Sequence, residues 1–258
     1  MLLPIGDDNR DRKIFPFVNY LLILINILAF IFWQKWGQDV NVTLSYATIP
    51  AEILSGQDIV AGSQEVTNPL SGDEVVQPPI GTTPISVYIT LITSMFMHGG
   101  LAHLGGNMLY LYIFGDNIED ALGHVRYLVF YLLCGVIASL THVFTTYLFG
   151  QNLLIPSLGA SGAISAVLGA YLMLHPGRSV HLWVILTIIS VPAVLAVGLW
   201  FVFQVINGLG ALGGGEGEGG IAYAAHIGGF FAGMLLIKFF DPVKSAIPAE
   251  RFITRIRR

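Results

Sequence analysis

Three groups of polar residues interrupt apolar stretches of this sequence and carry side chains that could do chemistry. They are Ser161 within GASG (159–162), His226 within AAHIGGFFAG (224–233), and the histidine and asparagine residues of HGGLAHLGGN (98–107). A serine hydroxyl becomes a nucleophile when a nearby base accepts its proton, and histidine suits that role near neutral pH. Ser161 and His226 are therefore a candidate nucleophile and base.

A serine nucleophile also needs fixed hydrogen-bond donors for the oxyanion of its tetrahedral intermediate. His103 and Asn107 are four residues apart, which places them on one face of a helix, and both can donate to the same oxygen. Ser161 follows Pro156 and Gly159 near a predicted helix start, where unpaired backbone N–H groups point outward. The predicted oxyanion hole therefore consists of His103, Asn107 and the backbone of Ser161.

Each of these residues also has an ordinary structural interpretation. A single serine in a membrane helix usually bonds its own backbone, and small residues such as those of GASG commonly mark close helix packing. Gly229 and Gly233 form a GxxxG pattern, which again indicates a helix contact. His226 alone is more typical of a packing or pore residue than of a base, so the catalytic interpretation depends on the whole set.

The composition indicates a membrane protein. Hydrophobic residues make up 54% of the chain and charged residues 11%, against roughly 25% charged residues in a typical soluble domain. The mean hydropathy is +0.72, and a soluble fold of this length could not bury so much apolar surface. The single cysteine, Cys134, excludes an intrachain disulfide and indicates no cysteine-based metal site. We predict neither a metal ion nor an organic cofactor.

Crossing a bilayer core as a helix takes roughly 20 apolar residues, and six segments of the sequence meet or approach that length. They are residues 14–36, 101–119, 125–149, 158–176, 181–206 and 221–240. The predicted fold is therefore all-α, a polytopic bundle of six transmembrane helices. Its membrane domain spans 14–240, between a cytoplasmic N-terminal segment (1–13) and a basic cytoplasmic tail (241–258).

A long outer loop, residues 37–100, separates the first two predicted spans. Its polar part (37–84) is rich in Gly, Pro, Ser and Asp and contains a predicted short helix near Ile49–Leu54. Residues 85–97 are apolar but too short to span, which favours a re-entrant or interfacial segment. The glycine-rich run GALGGGEGEGG (210–220) is predicted to be a flexible loop before the last helix.

The lysine and arginine residues predict the orientation of the chain. With the N-terminus inside, 11 of the 12 basic residues fall on the inner side and only Lys35 falls outside. This bias follows the positive-inside rule and predicts that both termini are cytoplasmic, with a bacterial inner membrane as the expected location. We interpret the basic tail at 251–258 as an anchor on anionic lipid, and expect no nucleic-acid partner.

Helix geometry places the candidate catalytic groups at one depth. The rise of about 1.5 Å per residue is taken from predicted inner helix ends at Glu119, His175 and Lys238. The serine, the asparagine and the two histidines then lie about 6–12 Å below the outer surface of a core about 30 Å thick. No acidic residue of the predicted spans stands at this height to orient His226, so we expect a Ser–His dyad rather than a triad.

The three motifs together resemble the rhomboid family of intramembrane serine proteases. The matching stretches are MFMHGGLAHLGGNMLYLYIFGDNIEDALG (95–123), GASGAISAVLGAY (159–171) and AHIGGFFAG (225–233). Their order and spacing and the predicted six spans agree with the family over residues 14–240. The resemblance implies that Ser161 is the nucleophile, and it implies further catalytic and structural roles for other residues of the motifs.

By this resemblance, His226 matches the base, while His103 and Asn107 match the oxyanion donors. His98 matches the first histidine of the family's HxxxxHxxxN pattern, and Glu119 matches the acid that closes the second helix. Three glycines match those that let the fourth and sixth helices approach, namely Gly162, Gly229 and Gly233. The positions expected to support the site structurally are His98, Glu119, Gly159, Gly162, Ser165, Gly229 and Gly233.

The sequence departs from the family pattern at two places. Many members carry a Trp-Arg pair in the first outer loop, and that pair is absent here. Many also have an aromatic residue four positions after the nucleophile, supporting the histidine ring, where this sequence has Ser165. Either Ser165 touches His226 and sets its tautomer, or it bonds its own helix while another side chain, such as Phe230, packs on the ring.

The predicted function is an intramembrane serine endopeptidase that cleaves transmembrane segments near the outer leaflet with a Ser–His dyad. Its expected partners are transmembrane protein substrates and the lipid bilayer. The alternative is a catalytically inactive rhomboid-like protein that binds transmembrane clients. Such proteins typically lose the serine or the histidine, and both are present here. A transporter is disfavoured because the polar cluster stops in the outer half of the predicted bilayer.

Overall fold

The computed structural model describes residues 2–67, 74–77, 79–212 and 220–240, and the fold over these residues is mostly helical. The α-helices are α1 (Phe17–Leu28), α2 (Val40–Ser45), α3 (Pro50–Ser55), α4 (Thr90–Thr93), α5 (Leu101–Leu122), α6 (His124–Leu148), α7 (Ser161–Leu174), α8 (Ala193–Leu212) and α9 (Gly220–Leu236). Short π or 3-10 turns extend α1 and α9 and flank α4. The tail predicted at 241–258 lies outside the described residues, as does most of the loop predicted at 210–220.

Five strands within the described ranges correct the prediction of an all-α fold. β1 (Leu2–Asp7), β4 (Ser179–Val184) and β5 (Thr187–Pro192) form an antiparallel sheet in the order β1-β4-β5. β2 (Gln64–Thr67) and β3 (Glu74–Gln77) form a separate antiparallel hairpin. The three-stranded sheet therefore ties the N-terminal segment to the connection between α7 and α8.

The predicted fifth span, 181–206, is wrong in its first half, because that stretch belongs to the β4–β5 hairpin and α8 begins only at Ala193. The hairpin is rich in valine and isoleucine, which pack well on a pleated surface. Its burial alternates, since Val180 and Leu182 are buried and Trp183 is exposed. Mean hydropathy over a window hides this period of two, which is the signal that separates a strand from a helix.

Length and composition identify fewer than six membrane spans among the described residues. α6 and the segment Tyr223–Phe240 are long and apolar enough to cross a membrane. The bent pair Val87–Phe96 and Leu101–Leu122 gives a third if it counts as one span. Three further helical segments are apolar but shorter, namely Phe17–Trp33, Ser161–Leu174 and Ala193–Leu209. The predicted count of six is therefore not confirmed.

The short helix predicted in the outer loop is confirmed as α3, and the apolar segment after it bends away from α5. Residues 87–96 form three consecutive helical turns that meet α5 at an angle of 81°. Thr48 Oγ1 donates to Thr90 O (3.0 Å), and Thr93 Oγ1 donates to Tyr46 O (2.9 Å). These side-chain bonds hold the outer loop against the bent segment and so fix the entry into α5.

The C-terminal part of α5 is fastened to α1 by Glu119. This fully buried carboxylate accepts the backbone N–H groups of Val18 (2.9 Å) and Asn19 (2.7 Å) in the first turn of α1, and lies 2.5 Å from His124 Nδ1. A carboxylate suits this position because the first N–H groups of a helix lack intrahelical partners and carry partial positive charge. Asn19 Nδ2 in turn donates to Leu111 O (2.9 Å), which locks the two helices in register.

Candidate active site

α7 and α9 pack backbone against backbone through glycines, and this contact sets the position of the candidate nucleophile and base. A side-chain carbon added at Gly229 would collide with the carbonyl of Gly162, and one added at Gly233 would collide with the backbone of Ala166. Residues 162–171 of α7 are all buried. Small residues allow such close approach of helices, and the approach brings the start of α7 beside α9.

Ser161 and His226 meet across this helix contact. Ser161 is the first residue of α7 and His226 lies in the second turn of α9. The distance from Ser161 Oγ to His226 Nε2 is 2.8 Å, which is a normal hydrogen bond for a hydroxyl and an imidazole nitrogen. A neutral imidazole with its lone pair on Nε2 can therefore accept the serine proton as that oxygen forms a bond to carbon.

The loop before α7 places Gly159 against the two candidate oxyanion donors. Gly159 has φ +113°, a conformation that residues with a side chain rarely adopt. A carbon attached there would lie 2.7 Å from His103 Nε2 and 3.6 Å from Asn107 Nδ2. The Gly159 N–H donates to Ser94 O (2.8 Å) and so fixes the loop to the bent segment. Glycine therefore leaves open the space that His103 and Asn107 face.

Asn107 and His103 both present a donor to that space. Asn107 is 8% exposed, and its Nδ2 is buried without a hydrogen-bond partner among the described residues. The Gly99 N–H donates to His103 Nδ1 (3.4 Å), so the neutral ring carries its proton on Nε2, the atom that faces Gly159. An unpaired buried donor is costly, and an oxygen atom bound between these groups would satisfy both.

Gln204 is a site residue that the sequence reasoning missed. It lies on α8, and its Oε1 is 2.8 Å from His226 Nδ1, so the ring has partners at both nitrogens. The available signal was an amide inside an apolar stretch, GLWFVFQVI, because a polar group in such a stretch needs a partner. The sequence predicts a dyad with no orienting acid, and the residue beside the histidine is an amide.

Ser165 does not contact the histidine ring. Its hydroxyl donates to the carbonyl of Ser161, one turn earlier in the same helix, at 2.6 Å. The aromatic neighbours of His226 are Trp200, whose ring centroid is 6.3 Å away, and Tyr223, which meets the ring edge-on at 6.2 Å. Phe230 stacks on another phenylalanine at 4.1 Å. The structure therefore shows the second alternative for Ser165, with Trp200 rather than Phe230 beside the base.

A small cavity adjoins the candidate catalytic pair. It has a volume of about 20 Å³ and is bordered by Ser161, His226 and the hydroxyl-bearing residues Ser94, Ser139 and Ser157. A cavity holds a water molecule when it offers about 10–15 Å³ and two to four polar partners. Both conditions are met here, so the cavity has room for a water molecule beside the serine–histidine pair.

Two of the expected supporting residues lie apart from this pair. His98 is buried, and its backbone exchanges two hydrogen bonds with the Gln34 side chain, at 2.7 and 3.0 Å. Its ring meets that of His103 edge-on at 5.1 Å. Glu119 is twelve residues after Asn107 on α5, roughly 18 Å along the helix axis.

Among the described residues no group of three or more His, Cys, Asp or Glu side chains could hold a metal ion.

Comparisons with known proteins agree with the motifs. The rhomboid domain family matches residues 86–241. Rhomboid protein 1, mitochondrial, of Saccharomyces cerevisiae is 35% identical over 147 residues, which cover 57% of this chain and 40% of that protein. Rhomboid protease GluP of Bacillus subtilis is 36% identical over 148 residues, covering 57% of this chain and 25% of that protein.

RHOMBOID-like protein 12, mitochondrial, of Arabidopsis thaliana is 35% identical over 152 residues, covering 54% of this chain and 43% of that protein. The chain thus spans less than half the length of these relatives. The family match, in contrast, covers more than half of the chain and includes α5 to α9 with every residue of the candidate site. The chain belongs to the rhomboid family, a family of membrane proteins.

Proposed function

We propose that this protein is an intramembrane serine endopeptidase. The observation that carries the proposal is the 2.8 Å hydrogen bond from Ser161 Oγ to His226 Nε2. The candidate donors His103 Nε2 and Asn107 Nδ2 lie beside Gly159, two residues before the serine. A Bacillus subtilis relative is named a protease, which supports the same reaction class. The pair is intact, which favours this function over the binding of clients without cleavage.

In the proposed reaction, His226 Nε2 takes the proton of Ser161 while Oγ bonds to the carbonyl carbon of the scissile peptide. The resulting oxyanion accepts hydrogen bonds from Asn107 Nδ2, His103 Nε2 and the Ser161 backbone N–H. The imidazolium then gives its proton to the amine as the C–N bond breaks. A water molecule, activated by His226, attacks the acyl-enzyme and releases the second product.

We further propose that the substrates are transmembrane segments cut near the outer leaflet. The catalytic groups lie at the N-terminal ends of α5, α7 and α9, and the predicted orientation puts those ends in the outer half of a six-span bundle. A helical substrate hides its backbone, so the cleaved segment must unwind locally and should contain weak helix formers such as Gly or Pro. Both termini would be cytoplasmic in a bacterial inner membrane.

The test uses a fluorophosphonate probe on the protein in liposomes, followed by peptide mass spectrometry. The chain offers a matched control, because Ser190 Oγ lies 2.7 Å from His181 Nδ1 at an exposed position of the β4–β5 hairpin, outside the candidate site. The proposal expects labelling at Ser161 and none at Ser190. Ser161→Ala and His226→Ala should lose both labelling and cleavage of a transmembrane substrate, whereas Ser190→Ala should keep them. Unchanged cleavage by Ser161→Ala would refute the proposal.

A further inference from the structure

Gln204 is a buried amide on α8, where the nearby side chains of Phe203 and Ile206 are exposed. It is 6% exposed, whereas Phe203 is 58% and Ile206 is 64% exposed. Within an apolar helix, a buried amide is costly unless its polar atoms find partners. Its Oε1 reaches His226 Nδ1 at 2.8 Å, so the amide is directed at the ring of the proposed base.

We propose that Gln204 is a positioning residue that holds His226 in the tautomer needed for catalysis, an inference that rests on the proposed function. An oxygen acceptor at Nδ1 favours the ring with its proton on Nδ1, which leaves the lone pair on Nε2. That lone pair is the one that must accept the Ser161 proton. With Gln204 on one nitrogen and Ser161 on the other, the ring is also prevented from rotating.

Without the acceptor, the ring can move its proton to Nε2 and donate to Ser161 Oγ, and in that state it cannot serve as a base. The neighbouring Trp200 and Tyr223 rings lie 6.3 and 6.2 Å from the imidazole, centroid to centroid, and such ring packing does not select a tautomer. The amide of Asn207, one turn along α8, bonds the carbonyl of Phe203 in its own helix (2.6 Å). An amide on this helix therefore has a local partner available, yet Gln204 reaches across to α9.

The kinetic test compares three variants in liposomes. Gln204→Met keeps the size of the side chain and removes the acceptor, Gln204→Glu keeps an oxygen acceptor, and Asn207→Leu is the matched amide control on the same helix. We expect Gln204→Met to lower kcat about tenfold with KM little changed, the typical effect of losing one neutral hydrogen bond. Gln204→Glu should recover most of the rate, and Asn207→Leu should match the wild type.

The spectroscopic test reads the tautomer directly, from the nitrogen chemical shifts of 15N-histidine with His226→Ala as the blank. The wild type should show the proton of His226 on Nδ1, and Gln204→Met should move it partly or wholly to Nε2. An unchanged tautomer and an unchanged kcat in Gln204→Met would overturn the inference. If Gln204→Glu were as slow as Gln204→Met, the amide would act as a donor and the inference would also fail.

The two proposals fail in distinguishable ways. If the wild type were not labelled at Ser161 by a fluorophosphonate, the protease function would fail, while the tautomer measurement would still report on the contact between Gln204 and His226. If Ser161 were labelled and Gln204→Met reacted at the wild-type rate, the protease would stand and the positioning role would not.

Discussion

Replacing Gly229 by alanine is expected to separate the two helices that carry the proposed nucleophile and base. The added methyl group would lie well within contact distance of the Gly162 carbonyl oxygen and 3.3 Å from Ala138 Cβ. The obstacle at Gly162 is backbone, so no side-chain rotation can relieve the collision. α9 must therefore move away from α7.

The size of the effect follows from the geometry. To restore an ordinary contact of about 3.5 Å, the helices must part by about 1 Å. His226 lies three residues before Gly229 on the same helix, so its ring moves with the backbone. The 2.8 Å bond from Ser161 Oγ to His226 Nε2 then stretches beyond hydrogen-bond range, and a displacement of about 1 Å at reacting groups can cost on the order of 10²-fold in rate.

The assay is the rate of fluorophosphonate labelling, with thermal unfolding in detergent measured on the same samples. Overpacking typically costs about 1–3 kcal/mol, so Gly229→Ala should remain folded at low temperature while losing reactivity. Gly198→Ala on α8 is the matched control, because a carbon added there meets nothing within 4 Å. If a folded Gly229→Ala were labelled at the wild-type rate, the glycine contact would not set the distance between serine and histidine.

Three further changes test other parts of the site and fold. Asn107→Ala should lower kcat on the order of 10²-fold with little change in KM, because an oxyanion contact forms mainly in the transition state; steady-state kinetics check this, and a change confined to KM would contradict it. Ser165→Ala should keep the wild-type kcat at every pH assayed, because the hydroxyl bonds the Ser161 carbonyl; a shifted pH profile would restore its contact with the base. Burial raises the pKa of Asp7 from 3.8 to about 7, although Tyr171 donates to it. The folded state thus favours the protonated acid, and its stabilising effect is lost as the pH rises towards about 7. The melting temperature should fall between about pH 4 and pH 7, and by less in Asp7→Asn; an equal fall in both proteins would contradict the assignment.

The membrane character and the set of candidate site residues could be predicted from the sequence, because polar residues are conspicuous in apolar helices. Counting residues along helices predicts a common depth for Ser161, His226 and the pair His103 and Asn107, which lie in the N-terminal halves of α5, α7 and α9. Such counting works because the rise per residue is constant. This counting requires only that each residue lie in or next to a helix whose inner end can be located in the sequence.

The sheet and the role of Gln204 could not be obtained in that way. Hydropathy merges residues 179–192 with α8, because valine and isoleucine are equally apolar in a strand and in a helix. β4 also pairs with β1, about 175 residues earlier in the chain. A local sequence pattern does not indicate which distant strand will pair with a given strand. The contact between Gln204 and His226 likewise depends on how α8 packs against α9. The spacing of residues within either helix does not determine that packing.

The residue that contacts His226 Nδ1, Gln204, is an uncharged amide rather than a carboxylate. An ionised carboxylate would hold the same ring nitrogen and stabilise the imidazolium more strongly, but a charge buried in an apolar helix is expensive. An amide oxygen supplies an acceptor dipole without that cost. Gln204→Glu should therefore keep the rate and lose stability, with a cost on the order of 2–3 kcal/mol near neutral pH that diminishes when the acid is protonated. Asn207→Asp, on the more open face of α8, is the control and should lose less. The melting temperature of both variants, measured from acidic to neutral pH, checks this. Equal losses in the two variants would mean that burial beside His226 does not determine the choice of an uncharged residue.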